Sequence, residues 1–162
     1  DPIGAKAVLH FWFEDCRPWQ WFRQHDAFDA LIKERFGVLV ESALAGQLAS
    51  WEQESDQALA LVLLLDQFTR QVYRGKPQAY SGDVHALALS QRALANGWIE
   101  AEPQRVRRQF WLMPMLHSEN AAVVERAIPL LERFADSGTA DVARANLMEL
   151  QRHGHYRRRR QR

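Results

Sequence analysis

A chain of 162 residues, 47% apolar and 25% charged, has the size of one domain and the balance of a folded protein, which excludes a disordered polymer. Its formal charge of +1 sets 21 Lys and Arg against 20 Asp and Glu, and its one cysteine, Cys16, excludes an internal disulfide framework. The longest apolar run, Ala58 to Leu65, is far short of the ~20 residues that span a bilayer, and the opening residues do not read as a secretory signal; a cytoplasmic protein without a membrane partner is expected.

In chain order the hydrophobic spacing predicts about seven helices and no strand. The first runs from about Ile3 to Phe13, followed by an aromatic elbow at Pro18, Trp19, Trp21 and Phe22. Asp26 is expected to cap a second helix whose inner stripe is Phe28, Ile32, Phe36, Leu39 and Ala43, ended by Gly46. A third helix, Ser55 to about Arg74, is apolar on every side over Leu59 to Leu65, as befits a helix surrounded by others. Gly75 and Pro77 stop it, and a fourth runs from Ser81 or Asp83 to Asn96. Pro103 opens a fifth, which Pro114 kinks or ends; Ser118 is expected to cap a sixth, interrupted at Pro129; a seventh covers Ala140 to about Gln151. Short connections favour antiparallel pairs stacked side by side, in one helical domain over residues 1–154.

Residues 155–162 read as a basic, arginine-rich tail. The last eleven residues hold six of the 21 cations and no acid, which leaves fifteen cations against twenty acids, a net −5, on the rest. Such a tail stays solvated or lies against its own domain, and on an acidic body it argues against a nucleic-acid partner.

Two stretches carry candidate chemistry. In Leu64-Leu65-Asp66-Gln67-Phe68-Thr69-Arg70-Gln71-Val72-Tyr73-Arg74 the spacing i, i+4 puts Asp66, Arg70 and Arg74 on one helix face with Gln67 nearby. On a buried helix those groups either form an ion pair that locks neighbouring helices or line a pocket whose arginines grip a carboxylate or phosphate. The second stretch, His117-Ser118-Glu119 at a helix junction, has the residue types for acid–base work, with His117 and Glu119 as the candidate catalytic pair and Ser118 as a binding group. Neighbours on a helix diverge, so these three are no triad by themselves, and a structural account also serves: Ser118 caps, Glu119 complements the helix N-terminus and His117 bonds a backbone group. No metal motif or glycine-rich phosphate loop is present; neither a metal nor a cofactor is expected. Trp12, Trp21, Trp51 and Trp111 lie among apolar neighbours as core residues, whereas Trp19 and Trp98 stand near turns as candidate exposed contacts.

The spaced set Phe11-Trp12-Phe13, Trp21-Phe22, Phe28-Asp29, Leu64-Leu65-Asp66-Gln67-Phe68 with Arg70, Tyr73-Arg74-Gly75, Asp83, and Phe110 with Pro114 and His117-Ser118-Glu119 resembles the bacterial domain of unknown function 924 family. The resemblance implies an all-helical fold of stacked pairs, similar to tetratricopeptide-repeat proteins, and brings no established activity. Its C-terminus departs from the family: Arg152, Gly154, Tyr156 and Arg159 match, arginines stand at the proline, histidine and asparagine places, and Asn146 falls near the place of a family histidine.

Three functions follow as expectations. The first is a helical protein that binds a small anionic molecule or peptide through Asp66, Gln67, Arg70, Arg74 and Ser118. The second is a cofactor-independent hydrolase or lyase using His117 and Glu119, and the third is a structural interaction scaffold. Stacked pairs would bring His117 or Glu119 within direct or one-water reach of Arg70 or Arg74. Nothing in the sequence sets the oligomeric state.

Overall fold

Every regular element of the computed structural model, which describes residues 2–160, is helical. None of the helices among those residues is long and apolar enough to cross a membrane. The chain forms two units that divide between Gly82 and Asp83.

The first unit begins with α1, Pro2–His10, prolonged by the wider turn Phe11–Asp15. That turn closes with a Cys16 amide to Phe11 carbonyl bond of 2.9 Å, an i→i+5 link whose extra residue lets both Phe11 and Trp12 face inward. Buried Cys16 has its thiol pushed up to about 12 by desolvation, and so packs as a small apolar group. Pro18 opens α2, Pro18–Phe22, which is pinned by a 3.0 Å bond from Trp21 Nε1 to the Trp12 carbonyl. Trp19, 55% exposed, matches its expectation as a surface residue. Helix α3, Asp26–Leu44, is capped by His25, whose Nδ1 accepts from the Phe28 amide at 3.2 Å. Asp26, expected as the cap, sits instead in the first turn with Asp29, where a carboxylate complements the helix N-terminus. The inner stripe holds Val40 where the sequence suggested Leu39. Trp51 is fully buried in the short turn Ala49–Gln53.

Helix α4 comprises Ser55–Val62, a second wide turn Leu63–Phe68, and Thr69–Val72. Its N-terminal amides at Asp56 and Gln57 are held by the Glu54 carboxylate. Every residue from Ala58 to Thr69 is buried, so this is the expected central helix, packed against α1 and α3. Phe68 meets Phe36 and Trp12 with ring centres 5.3 Å apart in each case, and Phe11 stands 5.1 Å from Phe36. Gly82 ends the unit against α4: a Cβ there would collide with the Leu65 carbonyl oxygen, so only glycine fits.

The second unit holds α5, Asp83–Ala95; α6, Trp98–Ala101; α7, Arg105–His117; α8, Ala121–Phe134; and α9, Ser137–His153. Gly97 and Gly154 adopt left-handed backbones, φ +78° and +77°, at the ends of α5 and α9. Consecutive helices α7, α8 and α9 pack against one another through short connections, and α5 packs on α7. Pro114 and Pro129 lie inside α7 and α8 and end neither, because tertiary packing outweighs the lost amide bond. The cap of α8 is Asn120, whose Oδ1 accepts from the Ala122 amide at 3.0 Å; Ser118, expected there, closes α7 and accepts from the Asn120 amide. Trp98 is half-buried, its ring centre 6.3 Å from that of buried Trp111. Residues 155–160 lie against the helices, with Tyr156 buried and Arg157–Arg160 forming one short turn.

Candidate functional site

Asp66, Gln67, Arg70 and Arg74 belong to the first unit, and His117, Ser118 and Glu119 to the second. In the first unit, the wide turn of α4 carries Asp66 and Gln67 into the interior together, and Gln67 Nε2 donates to Asp66 Oδ2 at 2.8 Å. Arg70 folds back along its own helix. Its Nη1 donates to the Asp66 carbonyl at 2.7 Å and lies 3.5 Å from Asp66 Oδ1, while its guanidinium sits 5.3 Å over the Tyr80 ring. Arg74 instead crosses to α3. Its Nε and Nη2 take the two Asp29 oxygens at 2.6 and 3.1 Å, a bidentate pair that raises the arginine's pKa chiefly through that hydrogen bond, with burial opposing and the charges of Asp29 and Asp26 assisting. The side chains of Arg70 and Arg74 remain 20% and 29% exposed.

Gln71, between the arginines, is buried, and its Oε1 has no hydrogen-bond partner among the described residues. Native interiors leave few such atoms. Gln71 stands in the last turn of α4, next in sequence to Arg70 and three residues before Arg74, which follows the helix end.

In the second unit, α7 ends at His117 and exposes its last carbonyls. Asn146 Nδ2 and the Tyr156 hydroxyl both donate to the Leu116 carbonyl, at 2.8 and 3.2 Å, and the same hydroxyl reaches the Ser118 carbonyl at 2.7 Å. Burial pushes the Tyr156 phenol above its ordinary range, so it stays a donor. Arg159 Nη2 donates to the His117 carbonyl at 2.6 Å. Glu119 accepts from the Tyr156 amide at 2.9 Å and faces Arg160 at 3.7 Å. The arginine-rich end of the chain thus supplies donors to the 116–119 junction.

Sequence reasoning missed Asp29, Gln71 and Tyr80 in the first unit, and Asp83, Tyr156 and Arg159 in the second. Asp29, Asp83, Tyr156 and Arg159 do fall at matched positions of the family pattern, but nothing in residue spacing pairs them with α4 or α7. Among the described residues no group of three or more His, Cys, Asp or Glu is arranged to hold a metal ion.

A family of bacterial proteins of unknown function, DUF924, matches residues 8–161. A solved structure of a protein of unknown function from Agrobacterium tumefaciens is similar at 28% identity and a TM-score of 0.90, covering 98% of this chain and 88% of that one. No protein of curated function matches the chain.

Proposed function

The chain belongs to the DUF924 family of bacterial proteins of unknown function, and we propose that this member binds a small ligand bearing a carboxylate or phosphate at the C-terminal end of α4. The observation that carries this reading is the unmatched, buried amide oxygen of Gln71, in the same stretch of chain as two partly exposed arginines. A guanidinium has two edges that each present two donors. Arg74 spends the Nε–Nη2 edge on Asp29; Nη1 takes part in neither contact, so the second edge is offered to a ligand oxygen pair. Arg70, held by Asp66 and Tyr80, adds a second fixed cation, and Gln67 fixes Asp66 in turn. A ligand with an N–H beside its carboxylate, such as a peptide end, would also satisfy Gln71.

The acid–base alternative gains no support from Glu119, whose oxygens hold the C-terminal segment. The setting we propose is the cytoplasm, which suits a chain with a single thiol.

The test is a melting-temperature titration of the full chain with acetate, L-glutamate, glycylglycine and inorganic phosphate. One class should raise the melting temperature in a saturable manner, by about 2.7 kcal/mol of apparent stability at a hundredfold excess over Kd. Arg74→Lys keeps the charge and loses the second edge, so its Kd should rise about tenfold, ~1.4 kcal/mol. Gln71→Met should weaken the same ligand without lowering the unliganded melting temperature, since it removes an unmatched buried polar group. A flat response to all four compounds, or a titration that neither substitution alters, removes the reading.

A further inference from the structure

At the C-terminal end of α7 a guanidinium is enclosed on several sides. Arg159 Nη2 donates to the His117 carbonyl at 2.6 Å and lies 3.1 Å from Asp83 Oδ2. Its Nη1 stands 4.0 Å from Glu119 Oε1, and its central carbon is 5.2 Å from the centre of the Tyr156 ring. The side chain is only 14% exposed. These groups answer what a planar cation with five donors requires: two carboxylates for charge, a helix-end carbonyl carrying partial negative charge, and an aromatic face.

We infer that Asp83, the His117 carbonyl and Glu119 form a recognition site for an arginine side chain, which Arg159 occupies as a tethered ligand. The host groups come from the start of α5, the end of α7 and the turn before α8. That turn is also fixed without the C-terminal segment, by Ser118 Oγ accepting from the Asn120 amide and by Asn120 capping α8. The charged part of the site is therefore built by the helices, and the segment adds the Tyr156 face and fills it. A compact ammonium carries the charge but not the two-edged fork, so the site selects guanidinium over lysine-like cations. The segment from Tyr156 to Arg160 is then a strap that an arginine-bearing partner displaces by competition.

The experiment is chemical rescue in the full chain. Arg159→Ala should speed amide hydrogen exchange from Tyr156 to Arg160 severalfold and lower the melting temperature. Millimolar ethylguanidinium should restore the melting temperature of the variant while leaving the wild type unimproved, and ethylammonium at equal concentration should do neither. Equal responses to both cations, or of both proteins to ethylguanidinium, overturn the inference. If the variant does not fold, the wild type serves: Nα-acetyl-arginine amide should speed exchange at the same amides severalfold and Nα-acetyl-lysine amide should not. Equal effects, or none, overturn it there as well.

Discussion

Replacing Asp66 by Ala tests whether the polar end of α4 is part of the architecture. The carboxylate is fully buried and accepts from Gln67 Nε2, itself buried, with the Arg70 guanidinium 3.5 Å away. Truncation leaves a buried amide donor without that acceptor and a largely buried cation without that carboxylate. Breaking one partner of a buried pair costs ~3–5 kcal/mol. Because Arg70 keeps its bond to the Asp66 backbone carbonyl and is 20% exposed, the lower end, ~3 kcal/mol, is expected. Urea unfolding followed by circular dichroism at 222 nm reads this without screening the charges. With a slope of ~2 kcal/mol per molar, the midpoint should fall by ~1.5 M. Asp66→Asn keeps an acceptor and should lose about half as much. A loss below ~0.5 kcal/mol for the alanine variant is what an exposed pair gives, and would refute the reasoning.

Gly82→Ala forces a methyl group against the Leu65 backbone and should cost ~2 kcal/mol, a melting-temperature drop of about 4–8 °C for a chain of this length; no drop would mean the contact is not close in solution. The carboxyl of Asp136 is held below its ordinary range, first by the Thr139 hydroxyl and then by the Thr139 amide, with Arg105 assisting. A depressed folded pKa means that this stabilisation is fully present above the unfolded value near 3.9 and fades as pH falls through the folded one. Asp136→Asn should therefore flatten the acid limb of the stability profile below about pH 4 and change its slope little at neutrality; an unchanged acid limb would count against the cap.

The helical class, the central position of α4 and the core tryptophans were legible because each follows from local pattern: a continuous apolar run inside a segment too long for a strand reads as a helix surrounded by others. Caps were less legible. His25 and Asn120 displaced Asp26 and Ser118 because several polar residues lie in a row at each junction, and which one caps depends on where the chain turns. The polar groups of α4 could be named, but their partners could not. Asp29 meets Arg74 across 45 positions of sequence, and Arg159 meets His117 across 42. No periodicity reports such pairings. The tail shows the same limit: composition marks it as basic, but only its tertiary contacts place Tyr156 and Arg159 on the end of α7.

The wide turn of α4 has a consequence for any attempt to shorten or graft this helix. An ordinary α-helix advances about 100° per residue, and the turn Leu63–Phe68 holds one residue more than an ordinary turn. Deleting one apolar residue together with the widening would leave the two halves nearly in phase, because the turn already absorbs its surplus residue. Threading all the same residues onto a regular helix would instead turn everything from Phe68 onward by about 100° relative to everything before Leu63. Phe68 would swing away from Phe36 and Trp12, and Arg74 away from Asp29. The angular phase between the apolar half of α4 and its polar half is thus stored in one surplus residue, and transplanting Asp66 to Arg74 onto an idealised helix would reproduce the residues but not the directions in which they act.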